Sequence, residues 1–257
     1  MTITDLTDLR RLESFRSDFI ANVSHEIRTP LTCIIGAAEA LENEHDLPDT
    51  QRQKLLNMLK TQSRRLSALG QDILSLATLE KQKLVPARDF ASVAIDSVVI
   101  NATHLCAAKA AEAGMTLKIA ENQPDTLIGD SVLLEQALTN LIENAIRYSN
   151  AKHIEISSFW HNSALILEVK DDGIGIPLEY HARIFERFFR VDKSRSSELG
   201  GTGLGLAIVK HIAQLHDGDV MLKGAPVKVV HSAYVSPKMS PRHNPTILSI
   251  LHHLAML

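Results

Sequence analysis

One histidine has a carboxylate and a hydroxyl beside it at spacings that suit nucleophilic chemistry. In Phe19–Leu31 (FIANVSHEIRTPL), His25 is followed at once by Glu26 and, one helical turn on, by Thr29. A neutral imidazole is a competent nucleophile, and an adjacent carboxylate can take or orient its proton. Residues four apart share a helix face, so the Thr29 hydroxyl can position water beside a phosphorylated imidazole. A zinc-protease helix, H-E-x-x-H, is excluded because Thr29 stands where its second His belongs. Alone, these residues also fit an ordinary surface histidine on an amphipathic helix.

Three further blocks point to a phosphate-bearing ligand. In Asn140–Tyr148 (NLIENAIRY), Asn140 and Asn144 fall on one helix face, where two amide oxygens could hold Mg²⁺ with phosphate oxygens and waters. Glu143 is placed to assist, Arg147 to pair with phosphate and Tyr148 to cover a base. Asparagine is a poor interior helix former, so two of them want a reason; a plain polar helix face is the alternative. In Asp171–Pro177 (DDGIGIP), Asp171 could accept from an exocyclic amine, while Gly173 and Gly175 let the backbone approach a flat ligand. A simple D-G turn reads the same way. In Gly200–Leu206 (GGTGLGL), the glycines precede a helix and expose its first N–H groups, an anion site. No G-K-[ST] follows, so this is not a P-loop, and the spacing is not G-x-G-x-x-G. Between the last two blocks, Phe185, Phe188 and Phe189 form an apolar cluster beside a Ser-rich stretch. That pattern suits a lid anchored at one end, or a long surface loop.

These residues must be carried by definite elements. Leu9, Leu12, Phe15, Phe19, Val23, Ile27, Ile34, Ala38 and Leu41 recur at mostly three- or four-residue steps and predict a helix from 5 to about 43, bent at Pro30. After a turn at Asn43–Asp49, Leu55, Leu59, Gln62, Leu66, Leu69, Ile73, Leu76 and Leu79 predict a second helix over about 50–81. Two such helices form an antiparallel hairpin. One hairpin cannot cover both apolar stripes, which points to a four-helix bundle with a second copy. Beyond Pro86 the expected elements are a helix over 91–112, a strand over 115–120 and a helix from Ser131 to Tyr148. Strands over 153–159 and 164–170 and a helix from Thr202 to His216 follow. The fold class expected is therefore an antiparallel helical hairpin followed by a two-layer α/β sandwich.

Composition agrees. The chain has 257 residues, with 45% hydrophobic and 22% charged, enough apolar content for two modest domains and too much for disorder. A net charge of −3 argues against a strongly basic nucleic-acid binder. No apolar run reaches the roughly 18 residues of a membrane span. Two cysteines, Cys33 and Cys106, make neither a disulfide framework nor a metal site by spacing. The charge is uneven, however. Residues 222–257 hold Lys223, Lys228, Lys238 and Arg242 and no acidic residue, so they carry +4 against −7 for the rest.

Taken in this order, the blocks over residues 12–221 resemble the sensor histidine kinases of two-component systems. The His25 block resembles their H box, Asn140–Tyr148 the N box, Asp171–Pro177 the G1 box, Phe185–Phe189 the F box and Gly200–Leu206 the G2 box. The resemblance implies phosphoryl transfer from ATP to His25, then to an aspartate on the receiver domain of a response regulator. Glu26 would be the base, and Glu26 with Thr29 would serve a regulator phosphatase activity. Asn140 and Asn144 would bind Mg²⁺, Asn144 the surer of the two, and Asp171 would contact the adenine amine. Arg147, Tyr148, Gly173, Gly175, Gly201, Thr202, Gly203, Leu204 and Gly205 would complete the nucleotide site. Arg147 stands where lysine is common. Also implied are a homodimer through the hairpin, a cytoplasmic location and no membrane segment in this chain, although full-length relatives are often membrane-anchored.

The expected organisation is a linker helix over 1–14 leaving an absent sensor of PAS type, a dimerisation and phosphoacceptor domain over 15–84, an ATP-binding domain over 88–221 and a tail over 222–257. The family expects a last strand ending in G-T-x-F after His216–Met221. None is recognisable in the stretch KGAPVKVVHSAYVSPKM or in the rest of the tail. The tail therefore reads as frameshifted or replaced, or as docked on the surface through TILSILHHLAML. An ATP domain lacking its last strand would leave a catalytically impaired phosphotransfer or dimerisation protein, the alternative to an active kinase.

Overall fold

A computed structural model describes residues 7–43, 47–82, 90–122, 126–161, 164–192, 200–223 and 229–235. Residues 44–46 of the expected turn, residues 162–163, the Ser-rich stretch at 193–199 and the apolar end of the tail lie outside them. So do residues 1–6 of the expected linker.

Two compact units are present. The first comprises residues 1–74 with 192–202, the second residues 75–191 with 203–257. Helix α1 (Thr7–Asn43) continues through Pro30, and α2 (Asp49–Gln82) starts with Asp49 in its first turn, where a carboxylate suits the helix dipole. Along α2 the expected stripe is the sheltered one: Leu55, Leu59, Gln62 and Leu66 are half-buried and Leu69 is buried. Within the first unit, Ile20, Ile27, Leu31 and Ile35 on α1 and Leu56 and Met58 on α2 stay exposed.

The second unit is an α/β sandwich. Strands β2 (Thr116–Asn122), β4 (His153–His161), β5 (Ala164–Asp171), β7 (Val229–Val235) and β6 (Asp219–Lys223) form one sheet in that order. β2 runs parallel to β4, and every other pairing is antiparallel. Helices α3 (Ile95–Glu112), α4 (Ser131–Tyr148) and α5 (Gly205–Leu215) supply the other layer. Each shows a buried stripe at three- and four-residue steps, as in Leu134, Leu138, Leu141, Ile142 and Ala145 of α4. Ile154, Ile156, Leu165, Leu167 and Val169 complete the core. Each fully buried Leu or Ile is worth roughly 1.5–3 kcal/mol.

Two expectations change. The helix expected over 91–112 begins only at Ile95, because Ala91–Ala94 form a strand, β1. It pairs antiparallel with β3 (Thr126–Gly129) in a two-stranded ribbon. Local helix propensity is outweighed there by pairing with residues 32 to 38 positions away. The second change is in the tail. A last strand does exist: β7 lies between β5 and β6, with Asp171 opposite Val229 and Leu165 opposite Val235. The sheet thus extends past the expected end at 221, and the impairment expected from a missing strand loses its basis. Val229, Val230 and Val235 favour extended backbone without the expected G-T-x-F ending.

Candidate functional site

In the hairpin unit, His25 and Thr29 are exposed on α1, and Glu26 is half-buried. The Thr29 hydroxyl donates to the His25 carbonyl oxygen at 3.2 Å, which fixes its orientation one turn from the imidazole. Glu26 Oε2 accepts from Arg65 Nη2 at 3.0 Å. Arg65 was not among the expected site residues. Its signal was nonetheless present, because position 65 is three after Gln62 and four before Leu69, on the apolar stripe of α2.

In the sandwich, α4 positions the asparagines. Its N-terminus is capped by Asp130, whose carboxylate accepts from the N–H groups of Val132 and Leu133. Asp130 is held in turn by His216 at the end of α5: the Asp130 N–H donates to His216 Nε2 at 3.0 Å, and His216 Nδ1 donates to the Ile212 carbonyl at 2.8 Å. The His216 ring stacks on Phe90, with centroids 4.7 Å apart. Asn140 and Asn144 are half-buried on one face of α4. The Asn140 amide Nδ2 donates to the Gly205 carbonyl at 3.5 Å, linking α4 to the first turn of α5. Glu143 pairs with Lys109 and lies 4.0 Å from Arg147. Tyr148 is half-buried in the last turn.

The end of α4 meets the turn after β5. The Ile174 N–H donates to the Ser149 carbonyl at 2.8 Å. A Cβ on Gly173 would lie 2.2 Å from that oxygen, so glycine is required for this close approach. Gly175 has φ +73°. Asp171, at the last position of β5, is only 2% exposed. Its Oδ1 accepts from the Gly173 N–H at 2.9 Å, and its buried Oδ2 has no partner among the described residues. Burial pushes this carboxyl up to about 6; the Gly173 N–H opposes the shift and Asp172 adds to it. By contrast Asp172, bonded by the N–H groups of His153 and Lys152, is held below its usual range.

The glycine-rich block divides. Gly201 and Thr202 are buried, and in the first unit the Thr202 hydroxyl donates to Asp72 Oδ2 at 2.6 Å. Gly203 has φ +75°, and its carbonyl accepts from the Phe188 N–H at 2.8 Å. Phe188 itself has φ +62°, a costly value for a non-glycine residue. Leu204 is fully buried, and α5 opens at Gly205 with no side-chain cap. Its first N–H groups are therefore available to an anion. Of the aromatic cluster, Phe189 packs against Tyr180 and under Arg183. No His, Cys, Asp and Glu cluster among the described residues could hold a metal.

The order of these blocks is matched in known proteins. Residues 15–82 match the His Kinase A (phospho-acceptor) domain, and residues 129–238 the Histidine kinase-, DNA gyrase B-, and HSP90-like ATPase. The chain belongs to the histidine kinases. The sensor-like histidine kinase SenX3 of Mycolicibacterium smegmatis is 40% identical over 227 residues, covering 87% of this chain and 58% of that protein. The phosphate regulon sensor protein PhoR of Pseudomonas aeruginosa is 35% identical, covering 89% of this chain and 51% of that protein. The chain thus spans a little over half the length of these curated relatives. Among solved structures, Acinetobacter baumannii histidine kinase AdeS superposes with a TM-score of 0.67 at 27% identity, covering 84% of this chain and 98% of that one. ShkA, solved in complex with AMPPNP, gives 0.59 at 25% identity over 87% of this chain and 47% of that one. This histidine kinase chain carries an ATP-binding domain whose matched region runs through β7. None of its described helices is long and apolar enough to cross a membrane.

Proposed function

We propose that this chain is the core of an ATP-dependent protein histidine kinase that phosphorylates His25 and passes the phosphoryl group to an aspartate on a response-regulator receiver domain. The observation that carries this reading is the unpartnered Oδ2 of Asp171. A buried acceptor without a donor is costly, and an exocyclic adenine amine is the donor that would satisfy it. The uncapped start of α5 suits the phosphates. Arg147 at the end of α4 would pair with phosphate and Tyr148 would cover the base, with Gly173, Gly175, Gly203, Leu204 and Gly205 of the same unit around them.

Asn140 and Asn144 offer amide oxygens, hard donors of the kind Mg²⁺ takes alongside phosphate. The Asn140 Nδ2 is engaged by Gly205, which leaves its oxygen as the ligand atom. The ion would supply charge neutralisation for the transferring phosphoryl group. At the acceptor, a ring nitrogen of His25 attacks the γ-phosphorus, Glu26 takes the proton from the other ring nitrogen, and ADP leaves. Thr29 would place the water that later hydrolyses the regulator's phosphoaspartate.

The exposed stripe of Ile20, Ile27, Leu31 and Ile35 supports a homodimer closing into a four-helix bundle. Use of ATP and of a receiver domain argues for a cytoplasmic core. Incubation with γ-labelled ATP and Mg²⁺ tests the reading: the label is expected to be acid-labile, alkali-stable and abolished by His25→Gln. A folded, ATP-binding protein that takes up no label refutes it.

A further inference from the structure

The residue that follows His25 is tied across the hairpin. Arg65 Nη2 lies 3.0 Å from Glu26 Oε2, although the two residues are 39 apart in the chain. The Arg65 side chain is only 7% exposed and that of Glu26 22%, whereas Arg64 and His25 face solvent. A guanidinium withdrawn this far from water needs a charged partner, and the Glu26 carboxylate supplies one.

An ion pair that merely joined two helices could sit at any level of the hairpin. This one holds the carboxylate adjacent in sequence to the exposed imidazole. A carboxylate that turns freely spends only part of its time within reach of a ring nitrogen, and catalysis is sensitive to such placement.

We propose that Arg65 is a positioning residue for proton transfer at His25, holding Glu26 through Oε2 while the imidazole is phosphorylated. The inference rests on the phosphoacceptor reading of His25. In that step the lone pair of one ring nitrogen forms the N–P bond. The bond from the γ-phosphorus to the bridging oxygen breaks, and ADP departs with those electrons. The proton on the other ring nitrogen passes to Glu26. Arg65 exchanges nothing; it keeps the acceptor in place.

The test uses the full chain, γ-labelled ATP and Mg²⁺, with initial labelling rates followed across ATP concentration. Arg65→Gln is expected to lower the maximal rate by about 10-fold or more while KM for ATP stays within about twofold of wild type, because no nucleotide contact is touched. Arg65→Lys, which keeps the charge but not the fork, recovers part of the rate. The double variant Arg65→Gln with Glu26→Gln labels no more slowly than Glu26→Gln alone, since both substitutions remove one function. Melting curves accompany each variant, and if Arg65→Gln does not fold the same cycle is run with Arg65→Lys. An unchanged maximal rate, or losses that multiply in the double variant, overturns the inference while labelling of the wild type keeps the kinase reading. An unlabelled wild type overturns both.

Discussion

Asp171 concentrates the chemistry of the nucleotide side in one carboxyl. Its pKa is raised to about 6, above the ordinary value, so the folded protein holds a proton there that the unfolded chain has already released. Without nucleotide, stability therefore falls as pH rises through the window from about 4 to 6. ATP binding runs the other way, because the amine needs the ionised acceptor. Isothermal titration at pH 5 and pH 7 is expected to find the tighter binding at pH 7, and Asp171→Asn is expected to abolish most of that difference. Equal affinities at the two values would remove Asp171 from the adenine contact. Gly173 gives a second prediction at this scale. Its alanine variant must displace the Ser149 carbonyl, 2.2 Å from the added carbon, and should lose about 1–3 kcal/mol along with ATP affinity. Gly205→Ala meets nothing nearer than 4.0 Å and is expected to melt no lower than wild type.

The elements are held in register by polar ties that do not follow from their own patterns. His216 links the end of α5 to the cap of α4 by accepting from the Asp130 N–H while its Nδ1 donates back to the Ile212 carbonyl of α5, and Gly129 leaves room for its ring, since a Cβ there would lie 2.8 Å from it. His216→Phe can keep the stack on Phe90 but leaves the Asp130 N–H without its acceptor. A loss of about 1–3 kcal/mol in denaturant melts is expected. The helix and strand spans that matter most for the site were legible from periodicity, α4 to the residue. β1, β3 and β7 were not, because short strands owe their existence to partners rather than to their own composition. Arg65 shows the same limit at a site: its position on the α2 stripe could be read, but its pairing with Glu26 could not.

For the whole molecule, the exposed apolar stripe on α1 and the placement of β7 make separate predictions. Ile27→Glu combined with Ile35→Glu is expected to convert a dimer into monomers in light-scattering chromatography, because two charges would enter the buried seam. A monomeric wild type would refute the bundle. Truncation before Val229 is expected to abolish cooperative unfolding of the sandwich, since β5 would lose one of its two partner strands and β6 the strand it pairs with. A truncated protein that melts like the full chain would mean that β7 adds little.

The opening residues retain their order and their elements: His25, Glu26 and Thr29 on one helix, Asn140 and Asn144 on another, and the glycines at turns. Residue type and spacing sufficed for these because helix faces and tight turns are local, set by the 3.6-residue repeat and by which residues tolerate positive φ. Tertiary structure alone decided that Asp171 keeps a buried oxygen unpartnered, that Gly173 yields to Ser149, that Glu26 is held by Arg65, and that the +4 tail supplies a central strand. Each depends on groups distant in sequence coming within a few ångströms, where burial and pairing outweigh local preference.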